Sequence, residues 1–332
     1  NDADAVADAV FGIGFHGVPD QNSAAAFELM NSSHAKIYAV DVPSGTGTDD
    51  SSISVPCVKA DVTLCISVLK PCCTMYPSRA LCGEVKVLDI GIPHEFFRDA
   101  HPDSEALTAS EVKSMLVPRP DDSNKGTFGH ALCVCGSGDM PGAAELCTLS
   151  ACRSGAGLVT CASPKSAMPA ISAHLQDALL CTLPETLEGG VSRLAVNRIQ
   201  EQLSKATAVC CGCGLGNTRD SLQAVKFLIK NSNVPLVLDA DALNAVSTDV
   251  SALKKARCKV ILTPHPGEMA RLCGTDIKNV LSDMTGTALE LSHRTGCIVL
   301  LKGASTVITD GTRVFINTTG CSGMSKGGSG DV

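Results

Sequence analysis

Thr207-Ala208-Val209-Cys210-Cys211-Gly212-Cys213-Gly214-Leu215-Gly216 is a short apolar run that ends in a glycine turn. Short strands closed by glycine, with helical segments between them, read as α/β layering around a largely parallel sheet. The rhythm extends in both directions from this stretch. Upstream, residues 130–135, 158–162 and 178–182 read as strands, and downstream so do 236–240, 260–263 and 298–302. Residues 305–309 and 313–317 read as a hairpin turned by Asp310-Gly311-Thr312. An earlier series, 5–11, 36–42, 61–68 and 84–90, has the same character. Helices are expected over 23–31, 142–154, 220–231 and 280–294. In the last of these, Val280, Leu281, Met284, Ala288 and Leu291 fall close to helical spacing.

A length of 332 residues allows about two domains at ~150 residues each. The weakest stretch is 94–125, which carries Pro102, Pro118 and Pro120 and few apolar residues. Within it Thr108-Ala109-Ser110-Glu111 resembles a capping box that opens a short helix. The boundary is therefore placed near Ala106, giving domains 1–106 and 107–332. Net charge is -7, which disfavours a nucleic-acid backbone as partner. Two Tyr, eight Phe and no Trp offer little for stacking bases. No apolar run approaches the ~20 residues of a membrane span, so no membrane partner is expected. The first ten residues are neither basic nor a signal core. The chain lacks an initiator Met and opens inside an apolar strand pattern, which leaves room for a targeting segment upstream.

Eighteen Cys is a high count, and they sit in strand-like runs (Cys133, Cys135, Cys210, Cys211) or helix-like ones (Cys147, Cys152). That placement suits reduced thiols used as small packing groups in an intracellular compartment, cytoplasmic or mitochondrial. Cys210-Cys211-Gly212-Cys213 is the best candidate among them for a metal.

Four strand ends carry polar or glycine loops. Asp239-Ala240-Asp241-Ala242-Leu243-Asn244 follows one strand, at the edge where open α/β sheets bind ligands; a helix cap by Asp241 is the plainer reading. Thr263-Pro264-His265-Pro266-Gly267-Glu268 follows the next, with His265 and Glu268 projected by a rigid loop. Gly212-Cys213-Gly214-Leu215-Gly216 is a weak phosphate signal, because Thr218 stands where the last glycine of a dinucleotide fingerprint would be. Lys302-Gly303-Ala304-Ser305-Thr306 sets a cation on a glycine turn, able to meet a phosphate as a point charge. The series closes on Gly327-Gly328-Ser329-Gly330-Asp331-Val332, a glycine run whose backbone N–H groups can converge on an anion.

With Lys125-Gly126, Phe128-Gly129, Gly142-Ala143-Ala144 and Arg153-Ser154-Gly155-Ala156-Gly157-Leu158-Val159, these loops closely resemble those of the ADP/ATP-dependent NAD(P)H-hydrate dehydratases, which are ribokinase-like. The first part resembles the back half of an NAD(P)H-hydrate epimerase. Asp8-Ala9-Val10-Phe11-Gly12-Ile13-Gly14-Phe15 and Val40-Asp41-Val42-Pro43-Ser44-Gly45 carry that resemblance, with Lys70-Pro71, Cys82-Gly83-Glu84-Val85 and Asp89-Ile90-Gly91-Ile92-Pro93. The order is that of the bifunctional nicotinamide nucleotide repair enzymes. The implied architecture is a partial Rossmann-like domain followed by a ribokinase-like three-layer α/β/α domain.

The resemblance implies a small-molecule substrate, NADHX or NADPHX, and dehydration of its S epimer coupled to nucleotide hydrolysis. Phosphorylating the ring hydroxyl makes it a leaving group, and loss of phosphate restores the conjugated ring. Asp331 matches the family acid. Lys302, Gly303, Ala304, Ser305, Thr306 and Gly330 match nucleotide contacts, and Ala143, Gly214 and His265 the substrate side. Mg²⁺ is expected with the nucleotide. The fusion and the Thr-Pro-His-Pro-Gly-Glu form point to the ADP-using branch, with ATP as the other option. In the epimerase part, Asp8 and Ser44 match ligands of K⁺. Gly12, Ile13, Gly14, Phe15, His16, Gly17, Val18 and Asp41 match substrate contacts, with Asp41 the acid/base candidate. The assembly is expected to be a homo-oligomer. The family's Asn-Asn-Gly-Gly-Asp-Gly segment would precede residue 1, and the helix that orders its anion hole would follow Val332. Residues 1–332 alone are accordingly expected to lack epimerase activity and to dehydrate weakly or not at all. A ribokinase-like kinase of a vitamin or sugar hydroxyl is the enzymatic alternative, and a non-catalytic binding protein the other.

Overall fold

In a computed structural model the chain is described over residues 3–98, 100 and 102–332. Asp99 and His101, inside the proline-rich stretch read as weakly structured, lie outside the described residues. The chain divides into two units, one of Asn1–Leu107 with Ile316–Thr319, the other of Thr108–Phe315 with Gly320–Val332.

The first unit holds a parallel sheet in the order β1 (Ala5–Asp8), β2 (Lys36–Val40), β3 (Val62–Ile66), β4 (Glu84–Leu88). Helix α1 (Gln21–Ser32) joins β1 to β2, and Asp20 caps it by accepting the N–H groups of Asn22 and Ser23. Phe27 of that helix is fully buried with Ile37, Ala39, Val58 and Ala60. Two short elements follow, α2 (His94–Arg98) and β5 (Glu105–Ala106), and the second unit opens with α3 (Ala109–Met115). Helix α3 opens on the expected capping box: Thr108 accepts from the Glu111 N–H, and the Glu111 carboxylate accepts from the Thr108 N–H.

The second unit is built on β6 (His130–Val134), β7 (Leu158–Pro164), β8 (Leu179–Leu183), β9 (Ala208–Cys211), β10 (Leu236–Leu238), β11 (Val260–Leu262), β12 (Ile298–Leu301), β13 (Thr306–Thr309) and the first half of β14 (Val314–Asn317). Their order is β14-β13-β12-β11-β10-β9-β6-β7-β8. Pairing is parallel from β12 to β8, and β12 with β13 is antiparallel. From β6 the chain winds outward through β7 and β8, then returns to the other side of β6 to lay down β9 and its successors. The C-terminal ends of β6 and β9 therefore form the switch point where open α/β sheets leave a ligand crevice.

The connecting helices are α4 (Pro141–Arg153), α5 (Met168–His174), α6 (Val196–Leu203), α7 (Arg219–Asn231), α8 (Asp241–Ser247), α9 (Pro266–Cys273), α10 (Ile277–Ser282) and α11 (Met284–Thr295). In α7, Ala224, Val225, Leu228 and Ile229 form the buried stripe. Thr218, out of place in a dinucleotide fingerprint, is the N-cap of that helix. The single helix expected over 280–294 is two. Asp283 takes φ -148 and ψ 77, leaves the helix, and restarts the chain as α11 by accepting the Gly286 N–H at 2.7 Å.

Along β9 to β12 burial alternates with period two. Val209, Cys211, Leu236, Leu238, Val260, Leu262, Val299 and Leu301 are buried, whereas Cys210, Val237, Ile261, Ile298 and Leu300 are half-buried. One face of the sheet thus forms the core and the other floors a cleft. Among the described residues, no helix is long and apolar enough to cross a membrane.

Candidate active site

Glycine geometry shapes the crevice at the switch point. Gly212 ends β9 at φ +129, and a Cβ there would lie 1.9 Å from the Asp239 carbonyl oxygen. Only glycine lets the ends of β9 and β10 approach so closely. Gly214, at φ +62, brings its loop against α4, where a Cβ would meet that of Ala143 at 2.7 Å. The fold therefore brings together Ala143 and Gly214, two of the three residues expected on the substrate side. Asp241 fixes the far end of the loop: its carboxylate accepts the Gly216 N–H at 2.8 Å.

A cleft of about 470 Å³ runs along the half-exposed sheet face. Cys133, Cys210, Val237 and Leu300 give it an apolar floor; Asp239, Thr263, Lys302, Gly330 and Asp331 give it a polar end at the strand C-termini. Lys302 donates to Asp239 at 2.8 Å across 63 positions of sequence. Its Nζ stands 3.6 Å from where a Gly330 Cβ would be. The Lys302 N–H donates to the Pro264 carbonyl at 2.8 Å, tying this turn to the loop that bears His265. Thr306 closes the turn by accepting the Gly303 N–H at 3.4 Å, which leaves Gly303 and Ala304 exposed and Ser305 buried.

The terminal run is a turn, in which the Asp331 N–H donates to the Gly328 carbonyl at 3.1 Å. Burial raises the Asp331 carboxyl above its ordinary value of 3.8, opposed by a hydrogen bond with Cys213; the neighbouring Asp239 pushes it up further and Lys302 draws it down. A carboxyl tuned this way is suited to proton transfer nearer neutral pH.

His265 has a structural task. It is the N-cap of α9, its Nδ1 accepting the Gly267 N–H at 3.0 Å, while buried Glu268 accepts the His265 N–H at 2.9 Å. Its ring is half-exposed, with Nε2 3.5 Å from a Glu268 oxygen. His265 is not among the residues lining the Asp331 cleft. Asp239 and Cys213 line this end of the site and Asp241 braces its glycine loop, none of them read from sequence as a catalytic or substrate residue; the cap expected of Asp241 is absent, because α8 starts after Ala240 with no side-chain cap. For the acids, the signal was their place at a strand end.

In the first unit, Asp8 and Ser44 are both buried and in contact. The Ser44 hydroxyl donates to one Asp8 oxygen at 2.6 Å and its N–H to the other at 2.8 Å, with the Phe11 carbonyl oxygen 3.3 Å from the hydroxyl. Phe15, His16 and Gly17 line a pocket of about 260 Å³ with Gly45, Asp49 and Asp50. Phe15 stacks on Phe11 at 4.6 Å between ring centroids. Gly12 turns the loop by accepting the Phe15 N–H, and Ile13, Gly14 and Val18 are exposed. Asp41 lies outside that pocket, at φ +73, ion-paired with Lys70 and accepting the Ile66 N–H at 2.9 Å.

Comparison with known proteins agrees with this layout. A family model described as NAD(P)H-hydrate dehydratase matches residues 131–332. A second, described as YjeF-related protein N-terminus, matches residues 1–72. A bifunctional NAD(P)H-hydrate repair enzyme of Moorella thermoacetica is 38% identical over 332 residues, covering 99% of this chain and 62% of the relative. That of Thermofilum pendens is 35% identical over 330 residues, again 99% and 62%. The chain thus spans less than two thirds of the length of these relatives. Among solved structures, an ADP/ATP-dependent NAD(P)H-hydrate dehydratase of Bacillus subtilis, co-crystallised with ATP/Mg²⁺, superposes with a TM-score of 0.57 at 31% identity, over 69% of this chain and 78% of that one. A ribokinase-like superfamily protein of Enterococcus faecalis gives a TM-score of 0.59 at 24% identity, over 70% and 78%, a likeness of fold.

Proposed function

The chain belongs to the NAD(P)H-hydrate dehydratase family, and from that premise we propose that it removes water from the S epimer of hydrated NADH or NADPH, with hydrolysis of ADP or ATP driving the step. The observation that carries this reading is the polar end of the cleft, where Lys302, Gly330 and Asp331 meet at the C-terminal edge of the sheet. A phosphoryl group there meets the Lys302 ammonium and the glycine turn, donors of the kind phosphoryl transfer needs. Asp331 takes the proton of the ring hydroxyl as its oxygen attacks phosphorus, so the acid read from sequence works here as a carboxylate. The attack expels AMP from ADP, or ADP from ATP; the phosphate then leaves the ring carbon with its bonding electrons while a proton passes from the neighbouring ring carbon to water, restoring the conjugated ring. Ala143 and Gly214 shape the substrate side, and His265 holds the loop behind Lys302. Mg²⁺ would accompany the nucleotide and offset the charge of its phosphates, and Asp239, the carboxylate beside Lys302 at this end of the cleft, is the residue that would hold it.

The first unit is read as the matching part of an epimerase, which converts the R hydrate to the usable S form. Asp41, ion-paired with Lys70, is the proton-transfer group. Asp8, Ser44 and the Phe11 carbonyl form an all-oxygen, buried set whose chemistry suits K⁺. Residues 1–106 and 107–332 are the proposed domains, and the molecule is proposed to work as a homo-oligomer inside the cell.

The kinase reading shares the nucleotide end of the cleft. The repair enzymes that match along both units favour dehydration. Full-length protein offered NADHX, hydroxyethylthiazole or ribose with ADP or ATP separates the two. Regained absorbance of the reduced ring supports repair, and release of a phosphorylated vitamin or sugar refutes it.

A further inference from the structure

Three thiols converge on the wall of the cleft: Cys147 from α4, Cys210 from β9 and Cys213 from the glycine loop that follows. Their sulfurs all lie within 4.8 Å of one another, and those of Cys147 and Cys210 are 3.7 Å apart. Metal–sulfur bonds of about 2.3 Å place the sulfurs of a tetrahedral site about 3.8 Å apart and those of a trigonal one about 4.0 Å apart. The found spacing is therefore close to that of a ligand set. Cys210 and Cys213 are also separated by two residues, the spacing that short zinc loops use, and the bend between them is made at Gly212. We propose that Cys147, Cys210 and Cys213 form a binding site for a thiophilic metal ion of the Zn²⁺ and Cd²⁺ class, set in the cleft wall beside Asp331.

Plain packing is the alternative use of these thiols, and their neighbours show what it looks like. Cys135 and Cys161 are fully buried in the core between α4 and the sheet and do not line the cleft. Cys147 and Cys213 belong to the same core cluster, with Cys210 packed against it, but all three also line the cleft, which gives an ion its path to them. A metal ion binds thiolates, so binding releases the thiol protons to solvent. Asp331 lines the same cleft as Cys213, so its carboxyl is at hand for a fourth position.

The test uses reduced, chelator-stripped full-length protein titrated with Cd²⁺ against a competing chelator, with thiolate-to-metal charge-transfer absorbance as readout. One ion per chain is expected. Affinity should fall tenfold or more in Cys210→Ala and in Cys213→Ala, and be unchanged in Cys321→Ala, which removes an exposed thiol. Unchanged affinity in the first two variants overturns the proposal. X-ray absorption of the Zn²⁺-loaded wild-type protein needs no substitution and stands even if a variant misfolds. About three sulfurs at about 2.3 Å are expected, and a shell of nitrogen and oxygen alone overturns the site. Neither readout uses turnover, so the result is independent of the proposed reaction.

Discussion

Replacing Lys302 by Met keeps most of the aliphatic stem and removes the ammonium that pairs with Asp239. Asp239 is buried, with its side chain 7% exposed, and Lys302 is 30% exposed. A buried acceptor left without its partner costs about 1–3 kcal/mol, and more when charged; a fully buried broken pair costs about 3–5 kcal/mol. Water entering along the partly exposed Lys302 side offsets some of that, so ~2 kcal/mol is the expected loss of stability. For a unit of this size 1 kcal/mol moves the midpoint by about 2–4 °C, so thermal unfolding followed by circular dichroism should fall by about 4–8 °C. Asp239→Asn added to Lys302→Met removes the orphaned charge and should recover at least half of the loss. A drop that the second substitution leaves unchanged would show that the pair is not the cause. The same Lys302→Met variant should raise KM for the nucleotide tenfold or more, since the cation beside Gly330 is gone.

Three further outcomes follow from single contacts. Asp283→Ala deletes the cap of α11 and should cost about 1 kcal/mol, read as a lower urea midpoint at constant slope. Asp41→Asn preserves the positive φ, which Asn tolerates, but leaves Lys70 without its ionic partner where both side chains are largely buried, so it should cost about 1–3 kcal/mol and abolish interconversion of the R and S hydrates by full-length protein, followed by chromatography of the epimers. Asp331 carries a pH signature. Burial raises its folded value above the ordinary 3.8, so its contribution to stability is fully present below 3.8 and is lost as pH rises through the raised folded value. Asp331→Asn should therefore raise the melting temperature at neutral pH relative to wild type, a difference that shrinks as the pH is lowered; a variant less stable at neutral pH contradicts the burial argument.

Much of the scaffold was legible from residues alone, because parallel strands are apolar runs closed by glycine. Strand positions held, most ends being trimmed by one to three residues where the chain already turns, as at Phe11 and Ala240, whereas β7 runs on to Pro164 and β8 to Leu183. Short helices were harder. In α8 and α9 the buried residues include a glycine, a glutamate and alanines, so no apolar stripe announces them. The cap expected of Asp241 is absent, since α8 starts after Ala240 with no side-chain cap, and in α9 the capping residue, His265, looked like a substrate contact. The break at Asp283 was hidden because apolar spacing runs through it, whereas the capping bond that makes the break is local. The site was legible as a set of loops. Its internal pairing was not, because Asp239 and Lys302, or Cys147 and Cys210, become neighbours only through the order in which the strands are laid down.

The most direct test of the central claim is the absorbance of the reduced nicotinamide ring, followed while full-length protein acts on NADHX with ADP or ATP and Mg²⁺. The account predicts that absorbance returns only when nucleotide is present, with phosphate released in step, and that Asp331→Asn abolishes the gain while the variant still binds nucleotide. Return of absorbance without nucleotide, or undiminished turnover in Asp331→Asn, would contradict it.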